Sequence, residues 1–188
     1  MESNDTHLLG LIKSGNKQAF DEVFLMHFKN LHAYAFTIVK ERDDAEEIVQ
    51  NVFVRIWTRR EQLKADGFLK SFLYRAVHNE SLNYLKHQQV RSNFNVHYAN
   101  TVKNEMGNLN TEITVTELEK NINSAINDLP EKCRNVFQLS RFDQMKYQEI
   151  AVALNISVKT VENQMGKALK ILRHRVIDFL VLIFILLK

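Results

Sequence analysis

A helix-turn-helix pattern runs through KYQEIAVALNISVKTVENQMGKALKILRH, residues 146–174. Apolar residues recur at helical spacing on both sides of a short break, which predicts one helix over 146–154 and another over 158–174. In the break, Asn155 tolerates the left-handed backbone that a tight turn needs, Ile156 can fill the angle between the helices, and Ser157 is a good N-cap. A short helix, a three-residue turn and a longer helix therefore follow one another.

The longer helix separates apolar and polar side chains onto opposite faces at about 100° per residue. The apolar set is Val158, Val161, Met165, Ala168, Leu169 and Leu172, and the polar set is Lys159, Asn163, Lys167 and Lys170. Asparagine can pair with adenine and lysine can reach guanine or phosphate, so the polar set suits a DNA major groove. Ser157 and Thr160 are candidates to hold phosphates. An ordinary solvated face of a helical hairpin is the alternative.

Two shorter helices are predicted before this motif, over residues 118–127 and 131–142. Pro130 suits the first turn of the second one. Residues 119–175 thus form one helical domain. Upstream of it, residues 91–118 are rich in Asn and Thr and show no sustained helical repeat. Such a segment is more easily placed between two domains than inside one, so it predicts a flexible linker and a separate domain over residues 1–90.

Within residues 1–90, helices are predicted over 5–13, 17–40, 43–60 and 68–89. The third has the clearest pattern, because one apolar stripe runs along it and its acidic and basic groups complement the helix dipole. The stripe is Ile48, Val49, Val52, Phe53, Ile56 and Trp57.

The helix over 68–89 carries amides and positive charge on one face, at Arg75, Asn79, Asn83 and Lys86. Phe72 and Tyr74 lie nearby in sequence. Aromatic rings and amides interleaved in this way suit an unpaired nucleic-acid strand, whose bases stack and expose their edges. An ordinary amphipathic helix is the alternative, and nothing in the pattern accounts for Glu80 on the apolar side.

Composition favours an all-α protein over sheet folds. The 188 residues include one Pro and five Gly, too few for the many turns of a sandwich or barrel. Basic and acidic groups number 12 and 12 in residues 1–90, 2 and 3 in 91–118, and 11 and 7 in 119–188. The last part is therefore the basic one, which raises the expectation of a polyanion partner there.

No motif in this sequence indicates catalysis or metal binding. Cys133 has no second cysteine to pair with, and the seven histidines are scattered. The polar N-terminus lacks the blocks of a signal peptide. We expect a cytoplasmic protein that is not an enzyme and has no metal or cofactor.

Three stretches together resemble regions two and four of an extracytoplasmic-function sigma factor (group IV of the sigma-70 superfamily). They are DDAEEIVQNVFVRIW (43–57), FLYRAVHNESLNYLK (72–86) and LPEKCRNVFQLSRFDQMKYQEIAVALNISVKTVENQMGKALKILR (129–173). Their order and spacing agree with the family, and the resemblance covers about 160 of the 188 residues.

The resemblance implies a dissociable subunit of bacterial RNA polymerase that recognises promoter DNA and helps melt it. The helix matching 43–57 would dock on core polymerase through Asp44, Glu47, Gln50 and Asn51. The helix matching 72–86 would meet the minus-ten element, with Asn79 at the position typically involved in capturing a flipped base. The helix matching 158–173 would read the minus-thirty-five element. An anti-sigma factor is a further expected partner.

Two features depart from the family pattern. Glu162 stands where many relatives carry Arg, so the promoter sequence cannot be copied from another member. The tail, residues 176–188, is more apolar than the family requires. At about 1.5 Å per residue it is too short to cross the roughly 30 Å hydrocarbon core, and we expect it to bury against protein, with shallow membrane association as the alternative.

Two rival functions come from other classes. A stand-alone helix-turn-helix regulator explains residues 119–175 but gives no purpose to the acidic face of 43–57. A membrane-associated adaptor anchored by its tail is the other.

Overall fold

The structure is a computed structural model that describes residues 2–63, 68–95 and 124–186, with side chains for 5–63, 68–90 and 124–175. Every regular element in these ranges is helical, which confirms the all-α prediction. The elements are α1 (Glu2–Lys13), α2 (Lys17–Val39), α3 (Arg42–Thr58), a 3₁₀ turn (Arg60–Gln62), α4 (Leu69–Asn95), α5 (Glu131–Arg141), α6 (Tyr147–Leu154) and α7 (Val158–Leu186). Residues 124–127 are also helical.

The apolar stripe of α3 lies in the core between α2 and α4. Phe53 packs its ring against Phe20 and Phe24 of α2, at centroid distances of 5.9 and 4.9 Å. Val49 and Val52 are likewise buried. Full burial of such a side chain contributes about 1.5–3 kcal/mol. The apolar face of α3 is therefore buried against the rest of the protein, whereas the acidic face of the same helix lies on the surface.

The second half of the chain packs α5, α6 and α7 together. Val136 and Leu139 of α5 are buried, as are Val161 and Met165 of α7. Two members of the apolar set predicted for α7 differ, because Val158 and Leu169 are 38% and 39% exposed. They lie at the margins of the buried stripe, where the neighbouring helices no longer cover it.

Two helices run further than their sequence patterns predicted. Helix α4 continues past residue 89 to Asn95, so the first five residues of the predicted linker are helical. Helix α7 continues past residue 174 to Leu186, into the predicted tail. Residues 90–95 and 175–186 contain no Gly or Pro, so no strong breaker ends either helix.

Several predictions fall outside the described residues. They are the turn at 66–67, the linker from 96 to 118, most of the helix predicted over 118–127, and the side chains of the tail.

Candidate nucleic-acid and polymerase interfaces

The turn of the helix-turn-helix has the geometry that its sequence predicts. Asn155 adopts the left-handed conformation, with φ 54° and ψ 47°, and its backbone N–H donates to carbonyls at the end of α6. The backbone N–H of Thr160 donates to the Ser157 hydroxyl oxygen over 3.1 Å, so Ser157 caps α7 as predicted. The two hydroxyl groups lie 2.8 Å apart. Hydroxyls and the N-terminal end of α7 thus meet at one exposed corner.

The polar face of α7 is open to solvent. Lys159, Asn163, Lys167 and Lys170 are all exposed, opposite the buried stripe. Lys159 pairs with Glu162 over 3.3 Å, and both side chains are largely exposed. An exposed pair of this kind is worth about 0–1 kcal/mol, so it leaves Lys159 available to a stronger anionic partner.

A contact that the sequence did not reveal joins α5 to the same helix. The Cys133 thiol donates to the side-chain oxygen of Gln164 over 3.0 Å. Burial raises the pKa of this thiol, while the charge of Lys167 lowers it. Because the thiolate is disfavoured, Cys133 acts as a packing residue that fixes the position of α7.

Helix α4 presents the predicted amide and cationic face to solvent. Arg75, Asn79, Asn83 and Lys86 are exposed. Asn79 and Asn83 also line a cavity of about 340 Å³ between α3 and α4. Phe72, which is 39% exposed, lines the same cavity. A ring, two amides and a cavity open to solvent therefore come together at one place.

Glu80 has a structural role that the helix pattern did not reveal. Its carboxylate pairs with the Arg55 guanidinium of α3 over 2.8 Å, and both residues line the cavity. The two residues are 25 positions apart in sequence, so no helical periodicity could pair them. The ion pair ties α3 to α4 along one wall.

The acidic side of α3 faces away from the core. Glu47, Gln50 and Asn51 are exposed, whereas Asp44 is half-buried in the first turn. The Gln50 amide donates to the Glu46 carboxylate over 2.9 Å. The structure thus brings the four predicted docking residues onto one helix but gives Asp44 less exposure than the others.

Among the described residues, no group of three or more His, Cys, Asp or Glu side chains is arranged to hold a metal ion. The same residues include no helix that is both long enough and apolar enough to cross a membrane.

Two family profiles match the two halves of the chain. The profile of sigma-70 region 2 matches residues 23–91, and that of sigma-70 region 4 matches residues 119–172. The first match contains α3 and most of α4, and the second contains the helix-turn-helix. The chain therefore belongs to the sigma-70 family.

Two curated relatives of this chain are named as ECF factors, which are one group of sigma factors. The ECF RNA polymerase sigma-E factor of Haemophilus influenzae is 24% identical over 183 residues, covering 92% of this chain and 95% of that protein. The ECF RNA polymerase sigma factor SigW of Bacillus subtilis is 24% identical over 175 residues, covering 89% of this chain and 94% of that protein. The chain is accordingly an extracytoplasmic-function (ECF) factor.

Solved structures share the fold. CnrH in complex with the cytosolic domain of CnrY matches with a TM-score of 0.65 and 22% identity, covering 93% of this chain and 97% of that one. The sigma factor RpoE from Bartonella quintana, in complex with the anti-sigma factor NepR, matches with a TM-score of 0.65 and 18% identity, covering 84% and 96%.

Proposed function

We propose that this ECF factor binds core RNA polymerase, recognises promoter DNA and helps melt it, with one helix serving each task. The observation that carries the proposal is the solvent exposure of three chemically distinct faces, on α3, α4 and α7. Each helix buries its apolar side in the fold, so these faces are available to partners without unfolding. Sigma factors are not enzymes, and we propose that this chain likewise contributes binding and no chemistry.

Helix α7 is the proposed reader of the minus-thirty-five element. Asn163 supplies the bidentate amide that pairs with adenine, and the lysines supply contacts to phosphate or guanine. Ser157 and Thr160, at the N-terminal end of the helix, face the position where a phosphate would neutralise the helix dipole.

Helix α4 is the proposed reader of the minus-ten element. The cavity of about 340 Å³ falls within the usual range of ligand pockets, about 300–1,000 Å³. Phe72 offers a ring for stacking, and Asn79 and Asn83 offer hydrogen bonds to a base edge. A base extruded from the duplex needs such a pocket, because unstacking costs a few kcal/mol that the pocket must offset.

Two further partners are proposed from the relatives. Both solved structures named above are complexes, one with the anti-sigma factor NepR and one with the cytosolic domain of CnrY. We propose that an anti-sigma factor also binds this chain and that the chain works in the cytoplasm, where its polymerase is. Membrane contact would then be indirect or through the tail.

Run-off transcription with purified core polymerase tests the function directly. We expect the chain to confer initiation at a defined start on promoters that core polymerase alone does not use. A stand-alone regulator would bind duplex DNA but leave core polymerase without a defined start.

The contacts proposed for the minus-thirty-five element lead to separate predictions for two side chains of α7. Asn163→Ala is expected to reduce the difference in binding free energy between the preferred base and the other bases at one position by about 1–3 kcal/mol, because a bidentate base contact is lost. Lys170→Ala removes a proposed phosphate contact. It is therefore expected to weaken binding to all DNA sequences alike and to reduce by about 1 the slope of the logarithm of the binding constant against the logarithm of the salt concentration. Titration of minus-thirty-five duplexes at several salt concentrations measures both effects. Asn127→Ala and Lys29→Ala, at exposed positions outside this face, are the matched controls. A uniform loss from Asn163→Ala would contradict the base contact.

The domain division remains a proposal: residues 1–90, a linker over 91–118, residues 119–175 and a tail over 176–188. Limited proteolysis of the free protein is expected to cut first between 96 and 118, because exposed connections are nicked before packed helices. Mass spectrometry of the first fragments locates the cut. A first cleavage inside α2 or α5 would contradict the division.

A further inference from the structure

Glu162 is the one acidic residue among positions 158–175, and it borders the polar face of α7 that is proposed to read DNA. Its side chain is exposed, as are those of Lys159 and Asn163. At about 100° per residue, Glu162 and Asn163 flank Lys159 on either side. A carboxylate beside a row of cations weakens the attraction to any polyanion, so general attraction to DNA does not account for Glu162.

The position of Glu162 along α7 is suited to contact with base edges. Helix α7 begins at Val158, which places Glu162 in its second turn. Recognition helices contact base edges through their N-terminal residues. One turn after Glu162, a Cβ added at Gly166 would meet no atom of the described residues within 4 Å. No side chain at Gly166 holds a duplex away from this part of the helix, so the Glu162 carboxylate can reach into a groove.

Glu162 and Lys159 place an acceptor and a donor next to each other. The Lys159 ammonium group donates to the Glu162 carboxylate over 3.3 Å. The Lys159 and Glu162 side chains are 79% and 48% exposed, so water weakens the attraction between them. Each group also retains hydrogen-bonding capacity that the other does not use. The pair can therefore meet a second donor and acceptor without first breaking a strong contact.

The edge of a G·C base pair in the major groove has the complementary pattern. Guanine presents the acceptors O6 and N7, and cytosine presents the N4 amino donor beside them. A lysine ammonium group suits the guanine acceptors, and a carboxylate accepts from the cytosine amino group. An A·T pair has its amino donor between two acceptors and adds the apolar methyl group of thymine. A side-by-side ammonium and carboxylate therefore fit G·C better than A·T.

We propose that Glu162 is a specificity-determining residue that reads one G·C base pair of the minus-thirty-five element together with Lys159. Glu162 contacts the cytosine and Lys159 contacts the guanine. This inference rests on the proposed function and adds to it a residue and a base pair. With the base pair reversed, the carboxylate would face the guanine acceptors and the ammonium group would face the cytosine donor. The element thus contains this base pair in one fixed orientation.

Selection from a pool of duplexes that share a short randomised segment tests the inference. The full-length chain, alone and assembled with core polymerase, retains the duplexes that it binds, and these are sequenced. We expect the native chain to enrich one G·C pair in a fixed orientation. Glu162→Gln removes the charge at nearly constant size and is expected to reduce the preference for cytosine at that position by about 5- to 150-fold. Because glutamine pairs with adenine, the selected base should shift towards adenine.

A second variant removes the other half of the pair. Lys159→Gln should reduce the preference for guanine at the same base pair, and it should also lower affinity for every sequence because a positive charge is lost. Glu131→Gln, the matched control, removes an exposed carboxylate from α5 and should leave the selected sequences unchanged. Circular dichroism checks that each variant retains its helices.

A carboxylate that only orients Lys159 would give a different result. In that case Glu162→Gln would raise affinity for all duplexes alike without changing the selected bases, which would overturn the inference. Enrichment of an A·T pair by the native chain, at the position that responds to Glu162→Gln, would also overturn it.

The same selection separates this inference from the proposed function. If Asn163→Ala changes the selected sequences and Glu162→Gln does not, α7 reads DNA as proposed but Glu162 does not take part. If the native chain enriches no sequence, either alone or with core polymerase, promoter reading by α7 fails and the role of Glu162 fails with it.

Discussion

Replacing Glu47 by lysine together with Asp44 by asparagine is expected to weaken binding to core polymerase by at least about 30-fold. Truncating one partner of a buried interfacial charge pair costs about 2–5 kcal/mol, and a lysine at position 47 adds repulsion to the loss. Glu47 is exposed, so its replacement leaves the fold intact. Fluorescence anisotropy with labelled chain and purified core polymerase measures the affinity.

Asp44 needs the milder substitution because of its place in α3. It lies in the first helical turn and is half-buried. A carboxylate there interacts favourably with the helix dipole by about 0.3–1 kcal/mol, so a positive charge would destabilise the helix itself. Asparagine removes the charge and keeps nearly the same side-chain size and shape.

The control carries an equal change in charge on another helix. Asp21 and Glu22 are both exposed on α2. Their replacement by asparagine and lysine is expected to leave core binding unchanged. Equal losses in the two double variants would indicate general electrostatic attraction and contradict docking through α3.

The helices and their faces were predictable because they are local. The stripe of α3 repeats within one helix, and the turn at Asn155 and Ser157 depends on residues that adjoin it. The exposed positions of α4 and α7 follow from the same periodicity. Each of these features is encoded by residues a few positions apart, where spacing alone carries the information.

Contacts between helices were not predictable in the same way. The Arg55–Glu80 ion pair and the Tyr74–Asp143 hydrogen bond join residues 25 and 69 positions apart. The half-burial of Asp44 likewise depends on neighbours brought by the fold. A helical wheel assigns a side chain to a face, but packing decides whether that face meets solvent or another helix.

Asn79→Ala is expected to lower the equilibrium constant for promoter opening by about 5- to 150-fold, which corresponds to the loss of about 1–3 kcal/mol from one bidentate base contact. The side chain lines the cavity between α3 and α4, so its removal leaves the edge of a captured base without its partner. Fluorescence of 2-aminopurine in the minus-ten element reports opening, and a mobility shift at low temperature reports binding of the closed duplex. Duplex binding should change little, because the contact forms only after the base leaves the stack.

Asn30→Ala removes an exposed amide from α2 in the same domain and should leave both signals unchanged. Normal opening by the Asn79 variant would contradict base capture by this cavity, even if α4 still contacts the promoter through Arg75 and Lys86.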